Sequence, residues 1–195
     1  MFGRSTYADL SSSSLFTAYL LAAILHRQKT GQGQYLDTSM VECCVNFLIP
    51  QVLDYVVNGR EISRTGNHRP DAAPHGAFPC QGNDSWCAIA VSSDTEWASL
   101  CKVMGEPALA KDPRFATLPA RKENEDELER VVGTWTSGLS AHQVMTTQQE
   151  SGVAAGVVEN FREVWEDTQL RHRQHFHDVP HSEMGSHNVP SFPYI

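Results

Sequence analysis

Positive charge is scarce in this chain of 195 residues: 15 Lys and Arg stand against 23 Asp and Glu, a formal net charge of −8. Such a chain offers no broad basic face for phosphates. That excludes a general nucleic-acid binder and leaves room only for a local basic pocket for a small anion. Paired cysteine motifs are also missing. Cys43, Cys44, Cys80, Cys87 and Cys101 are odd in number and show no CxxC spacing, and no signal peptide stands ahead of them. A reduced, cytoplasmic setting is expected. Long hydrophobic runs are missing too. The longest, Leu15 to Leu25, is interrupted by Thr17 and Tyr19. It reads as a core helix too short to cross a membrane, so no membrane partner is expected. There is no internal repeat, and no low-complexity tract beyond Ser11–Ser14.

What remains is a globular composition, 41% hydrophobic and 19% charged, sufficient for one large domain or two small ones. The apolar pattern predicts a first helix over about 11–26, apolar on most faces and so in need of cover on most faces. Thr30-Gly31-Gln32-Gly33 ends it, and 34–37 reads as a short strand. Ser39 with Glu42 opens a long helix to about Val57, kinked at Pro50 and closed by Gly59. Residues 59–82 are rich in Gly, Pro, Asn and Asp, too long for an ordinary connection and therefore of functional interest.

A second unit follows. Trp86–Val91 alternates as a strand; Ser93 with Glu96 caps a helix that Gly105 ends; Asp112-Pro113-Arg114-Phe115 makes a turn. Leu128, Val131, Val132 and Trp135 form a helical stripe. Ser140 with Gln143 starts another helix that Gly152 ends. Residues 153–158 form a short strand, and Asn160 with Glu163 caps a short helix. Beyond Arg173, Pro180, Pro190 and Pro193 allow only edge strands or loops. Alternating strands and helices give the fold class α/β. Both ends look cut: Met1-Phe2-Gly3-Arg4 runs almost directly into an apolar helix, and Pro190 to Ile195 stops in mid-strand. The expectation is a piece of a longer chain.

Asp9 is the leading chemical candidate. A carboxylate ahead of a helix serves as an N-cap or as a nucleophile, and the residues alone leave both open. Gly31-Gln32-Gly33 lacks GxGxxG spacing and follows a helix, so it is a turn rather than a dinucleotide fingerprint. Ser11–Ser14 has no GxSxG elbow. His172, His175, His177, His181 and His187 crowd the C-terminal stretch without a helical i, i+4 pair, which suits solvent-exposed histidines better than a metal site. Cys43-Cys44 reads as two small hydrophobes on a helix. No metal is expected.

Several segments, taken in order, resemble the class III CoA-transferases, the formyl-CoA and carnitine CoA-transferase group with the α-methylacyl-CoA racemases as relatives. They are Asp9-Leu10, Leu21 through Gln34, Asp37-Thr38-Ser39-Met40, Arg64-Thr65-Gly66-Asn67-His68, Ala73-Pro74-His75-Gly76, Trp97 to Cys101, Asp112 to Thr117, Gly152 to Val158 and His181 to Gly185. The resemblance implies part of a Rossmann-like large domain plus a smaller α/β domain. Residues 1–60 would be the C-terminal part of the large domain's first segment, 61–82 linker and substrate loop, 83–160 the small domain, and 161–195 the return linker and the start of the large domain's second segment. Family members are roughly twice this length and form interlocked dimers, so a homodimer is implied.

The resemblance makes Asp9 the nucleophile, with backbone amides at the start of the following helix as oxyanion donors. Gly66, Asn67, His68, Arg69 and Gly76 fall on the family's mobile loop over the acyl group. Here a glycine-rich version is replaced by Asn67-His68-Arg69-Pro70, and His68 or Arg69 would meet an acceptor carboxylate. No cofactor is bound permanently. A coenzyme A thioester is the implied substrate, and an acyl-CoA and a small carboxylic acid are the implied partners. Two alternatives remain: a racemase, whose histidine would lie upstream and whose Glu would fall near Asp94, or a truncated, inactive member of the family.

Overall fold

The computed structural model describes residues 7–191, and the expectations for Met1–Arg4 and Phe192–Ile195 lie outside them. The chain divides into two compact units, 1–64 and 65–195.

The first unit is helical. α1 runs Tyr7–Thr30, earlier and longer than the 11–26 expected. The serines explain the difference. Ser11 Oγ donates to the Tyr7 carbonyl at 2.8 Å, Ser12 to Ala8, Ser13 to Asp9 at 2.6 Å and Ser14 to Leu10 at 3.2 Å. Each hydroxyl bonds back one turn and no longer competes with the helical backbone. Gly31, at φ +74°, then stops the helix. Residues 34–37 form no strand. α2 (Met40–Val45) starts at Ser39, whose hydroxyl accepts from the Glu42 amide. A 3₁₀ turn over Asn46–Leu48 separates it from α3 (Ile49–Asn58). This is the kink expected at Pro50, which sits in the first turn of α3 where its missing N–H costs nothing. Gly59, at φ +67°, closes α3.

The expected cover over α1 is absent among the described residues: Ser12 is the one buried residue of the helix. Phe16, Leu21 and Leu25 are exposed, as are Leu53 and Val56 of α3. By length and composition, Tyr7–Thr30 and Met40–Asn58 are each long and apolar enough to cross a membrane, a test that soluble core helices also pass. The shorter Leu15–Leu25 estimate was therefore too narrow.

The second unit is a three-stranded antiparallel sheet under helices. β1 (His75–Pro79) lies inside the Gly- and Pro-rich stretch. It pairs with β2 (Trp86–Ala90), and β2 pairs with β3 (Ala154–Val157), in the order β1-β2-β3. Ala77 faces Ala88, and Ala88 faces Gly156. The period of two sends Phe78, Cys87 and Ile89 into the core.

α4 (Asp94–Val103) supplies Trp97, Leu100 and Cys101 to that core. α5 (Leu118–Glu123) leads directly into α6 (Glu125–Thr136), whose Leu128 and Val132 are fully buried. α7 (Ala141–Glu150) begins at a complete Ser140–Gln143 capping box and brings in Val144. After β3 come α8 (Phe161–Glu166), capped by Asn160 and Glu163, and α9 (Thr168–His172). A hairpin of β4 (Phe176–His181) and β5 (Gly185–Pro190) follows. Its two strands form a sheet of their own, which is how it accommodates Pro180 and Pro190.

Candidate active site

The first unit holds Asp9. It is exposed, in the first turn of α1 as described rather than ahead of the helix. It lines a hollow of about 320 Å³ with Ser12, Ser13, Phe16, Thr38, Ser39, Met40 and Cys43. The walls come from α1 and the start of α2, which pack around buried Ser12 and Cys43. The small serine side chains on α1 leave that space beside the carboxylate. From Ser11 onward the amides of α1 are used inside the helix.

The second unit holds the other candidates. Gly66, at φ +64°, turns the chain, with the His68 amide donating to the Thr65 carbonyl at 3.1 Å. Asn67 and Gly76 line an open, mainly apolar hollow of about 510 Å³ on the outer face of the sheet. Its floor is Ala77, Ala88, Ala90, Ala154 and Gly156, with His75 at the edge. His75 Nδ1 meets the carbonyl of Asn67, which joins the two ends of the loop.

Arg69 and His68 are both engaged. Arg69 makes a two-pronged pair with Asp71, Nε to Oδ1 at 2.8 Å and Nη2 to Oδ2 at 2.7 Å. That hydrogen bonding holds the Asp71 carboxyl below the usual carboxylate range and raises Arg69. His68 points both ring nitrogens at α6: Nε2 is 2.9 Å from Glu129 Oε1, and Nδ1 is 3.5 Å from Glu125 Oε2. Lys122 Nζ sits 2.6 Å from both oxygens of Glu125. His68, Glu125 and Glu129 lie close enough to hold a cation. Both imidazole nitrogens face carboxylates and the Lys122 ammonium pairs with Glu125, so the cluster is already occupied by the protein's own side chains.

Glu125, Glu129 and Arg121 were not singled out by sequence. The one available signal was the i, i+4 spacing of the two glutamates, which puts both on one face of α6. Arg121 is fully buried and donates from Nε to the Ala73 carbonyl at 2.8 Å and from Nη1 to the Phe115 carbonyl at 3.1 Å. Asp94, the position considered for a racemase acid, lies 2.9 Å from Arg121 Nη2. Of the C-terminal histidines, His181 accepts the Glu183 and Met184 amides at its Nδ1, which places it in the turn of the β4–β5 hairpin.

Relatives and solved structures match this chain. A succinyl-CoA–D-citramalate CoA-transferase of Chloroflexus aurantiacus is 35% identical over 172 residues, which cover 87% of this chain and 42% of that protein. A succinyl-CoA:mesaconate CoA-transferase of Haloarcula hispanica is 31% identical over 171 residues, 88% of this chain and 42% of that one. The crystal structure of a CAIB/BAIF family protein from Brucella suis superimposes with a TM-score of 0.81 at 24% identity, covering all of this chain and 54% of that chain. This likeness bears out the α/β fold class. The chain thus spans about two fifths of the length of the two transferases. The profile described as CoA-transferase family III matches residues 1–194, and the chain belongs to that family.

Proposed function

We propose that this chain carries the nucleophile of an enzyme that moves CoA from an acyl-CoA to a free carboxylic acid, and that Asp9 is that nucleophile. The observation that carries the reading is the family match over residues 1–194 together with Asp9, exposed at the wall of a hollow flanked by small side chains. The carboxylate of Asp9 attacks the thioester carbonyl, and CoA leaves as a thiolate, which gives a mixed anhydride of Asp9 and the donor acid. The thiolate attacks the aspartyl carbonyl of that anhydride, which releases the donor acid and leaves an aspartyl-CoA thioester. The acceptor carboxylate attacks the thioester and expels CoA thiolate, forming a second anhydride. Thiolate attack on its acyl carbonyl then gives the new acyl-CoA and restores Asp9. Each step exchanges one activated acyl group for another, so little driving force is lost.

Anhydrides hydrolyse, so the reaction requires water to be excluded. Gly66, Asn67, His68, Arg69 and Gly76 belong to the loop that serves the acyl group. The relatives named for D-citramalate and mesaconate support a short dicarboxylic acid as acceptor and succinyl-CoA as donor. We further propose that the active form is a cytoplasmic homodimer.

The test is trapping. Incubation with succinyl-CoA and hydroxylamine, followed by peptide mass spectrometry, should place a hydroxamate on Asp9. The same label elsewhere in Asp9→Ala, at unchanged yield, overturns the assignment.

A further inference from the structure

The loop over 65–76 is held by one pair of helices at two points. Near its start, His68 reaches Glu129 and Glu125 of α6 through its two ring nitrogens, at 2.9 and 3.5 Å. Near its end, the carbonyl of Ala73 accepts from Arg121 of α5 at 2.8 Å. α5 and α6 are separated by Asn124 alone, so both grips belong to one rigid corner. Glu129 contacts the loop at His68 and lies beside it at Gly76. A Cβ built on Gly76 would lie 3.7 Å from the same Oε1 that meets His68. Asn67, His75 and Gly76 of the loop line the larger hollow, and Asn67 stands next to His68 in the chain while Gly76 lies beside Glu129.

We infer that His68, Glu125 and Glu129 are positioning residues: they clamp the substrate loop to α6 and hold Asn67 at the wall of the hollow, opposite Gly76, which the sheet fixes. This assigns His68 to the clamp instead of to the acceptor acid, and it rests on the CoA-transfer reading for its kinetic consequence. The geometry favours it because an imidazole with each nitrogen facing a carboxylate has no ring nitrogen left for a substrate carboxylate. Lys122, paired with Glu125, keeps the acidic group from repelling itself.

Four forms of the full chain decide it: unmodified, His68→Gln, Glu129→Gln and the double variant. All changes lie on partly exposed side chains, so folding should survive, and a thermal melt checks that. The first readout is amide hydrogen exchange. Under the clamp, exchange over 66–72 rises severalfold in either single variant. The double variant adds little more, and the β1 and β2 amides do not change. The second readout is steady-state transfer from succinyl-CoA to mesaconate. Under the clamp, Glu129→Gln raises KM and leaves kcat nearly unchanged, as His68→Gln does. If His68 instead binds the acceptor, Glu129→Gln frees the imidazole and KM for the acid falls. A fall in KM, or loop exchange unchanged in both single variants, overturns the clamp. Absence of CoA transfer in the unmodified chain removes the transferase reading alone, because loop exchange still decides whether the clamp exists.

Discussion

The guanidinium of Arg121 donates to the carbonyl of Ala73 at 2.8 Å in a place where neither residue touches solvent. A buried cation is costly unless its donors are used. Here Nε and Nη1 serve two backbone carbonyls, and the plane lies 5.7 Å from the centre of the Trp97 ring. Nη2 is 2.9 Å from Asp94 Oδ1 without the alignment of a hydrogen bond, so that contact is attraction between charges and little more. Ala73 is fixed from its other side as well, since its amide donates to the Val91 carbonyl at 3.0 Å. Arg121 thus ties the end of the 65–76 loop, the turn at Phe115 and the start of α4 to one point.

Arg121→Met should therefore destabilise the second unit by about 2–5 kcal/mol, because two buried carbonyls lose their donor at once. Arg121→Lys should cost less: it retains the charge but replaces a planar fork with a single ammonium. Urea unfolding followed by tryptophan fluorescence measures both. Equal losses in the two variants would show that the fork geometry has no importance.

Local signals were the legible part of the fold. Gly59, Gly105 and Gly152 end helices at positive φ, as their positions after apolar stripes suggested. The capping boxes at Ser140 and Asn160 are complete. What sequence reading missed was non-local or depended on side-chain context. β1 hides in a Gly- and Pro-rich stretch because its strand character comes from pairing with β2. α1 extends back to Tyr7 because serine hydroxyls bond within it, which propensity does not register. The site divides in the same way. Asp9 and the loop motif were visible as residues in order. The engagement of His68 by Glu125 and Glu129 was not, because the partners lie far apart in sequence.

Three thiols in the second unit should be inert. Burial pushes Cys87 up to about 11 and Cys101 up to about 12 from the ordinary 9.0, with Arg121 partly opposing the shift at Cys101. Burial also raises Cys80. The thiolate is the reactive form, so these three should alkylate slowly at pH 8 in the folded chain. Cys44, which is only partly buried, should react first. The sign of the pH effect follows from the same shifts. Between about pH 9 and 12 the unfolded chain has lost protons that the folded chain keeps, so stability falls as pH rises through that window and is whole below it. Iodoacetamide labelling with peptide mapping checks the order, and denaturant melts at pH 8 and 10.5 check the sign. Fast labelling of Cys101 in the folded chain would contradict the burial argument.

The first unit sets a different kind of expectation. Val56 of α3 is 71% exposed, Leu53 54% and Leu21 of α1 56%, on helices whose residues are mostly apolar. Apolar surface of this extent is unusual on a monomer in water and drives association with whatever can cover it. The isolated chain should therefore bind a hydrophobic dye and sediment as a concentration-dependent mixture heavier than a monomer. Leu53→Glu combined with Val56→Glu should reduce both signals. Because those side chains make little buried contact within the chain, the double variant should leave the melting of the second unit unchanged. Sedimentation velocity over a concentration series separates the cases. A single monomer boundary at every concentration, with the dye dark, would mean that these faces are not association surfaces and that α1 and α3 satisfy their apolar residues within one chain.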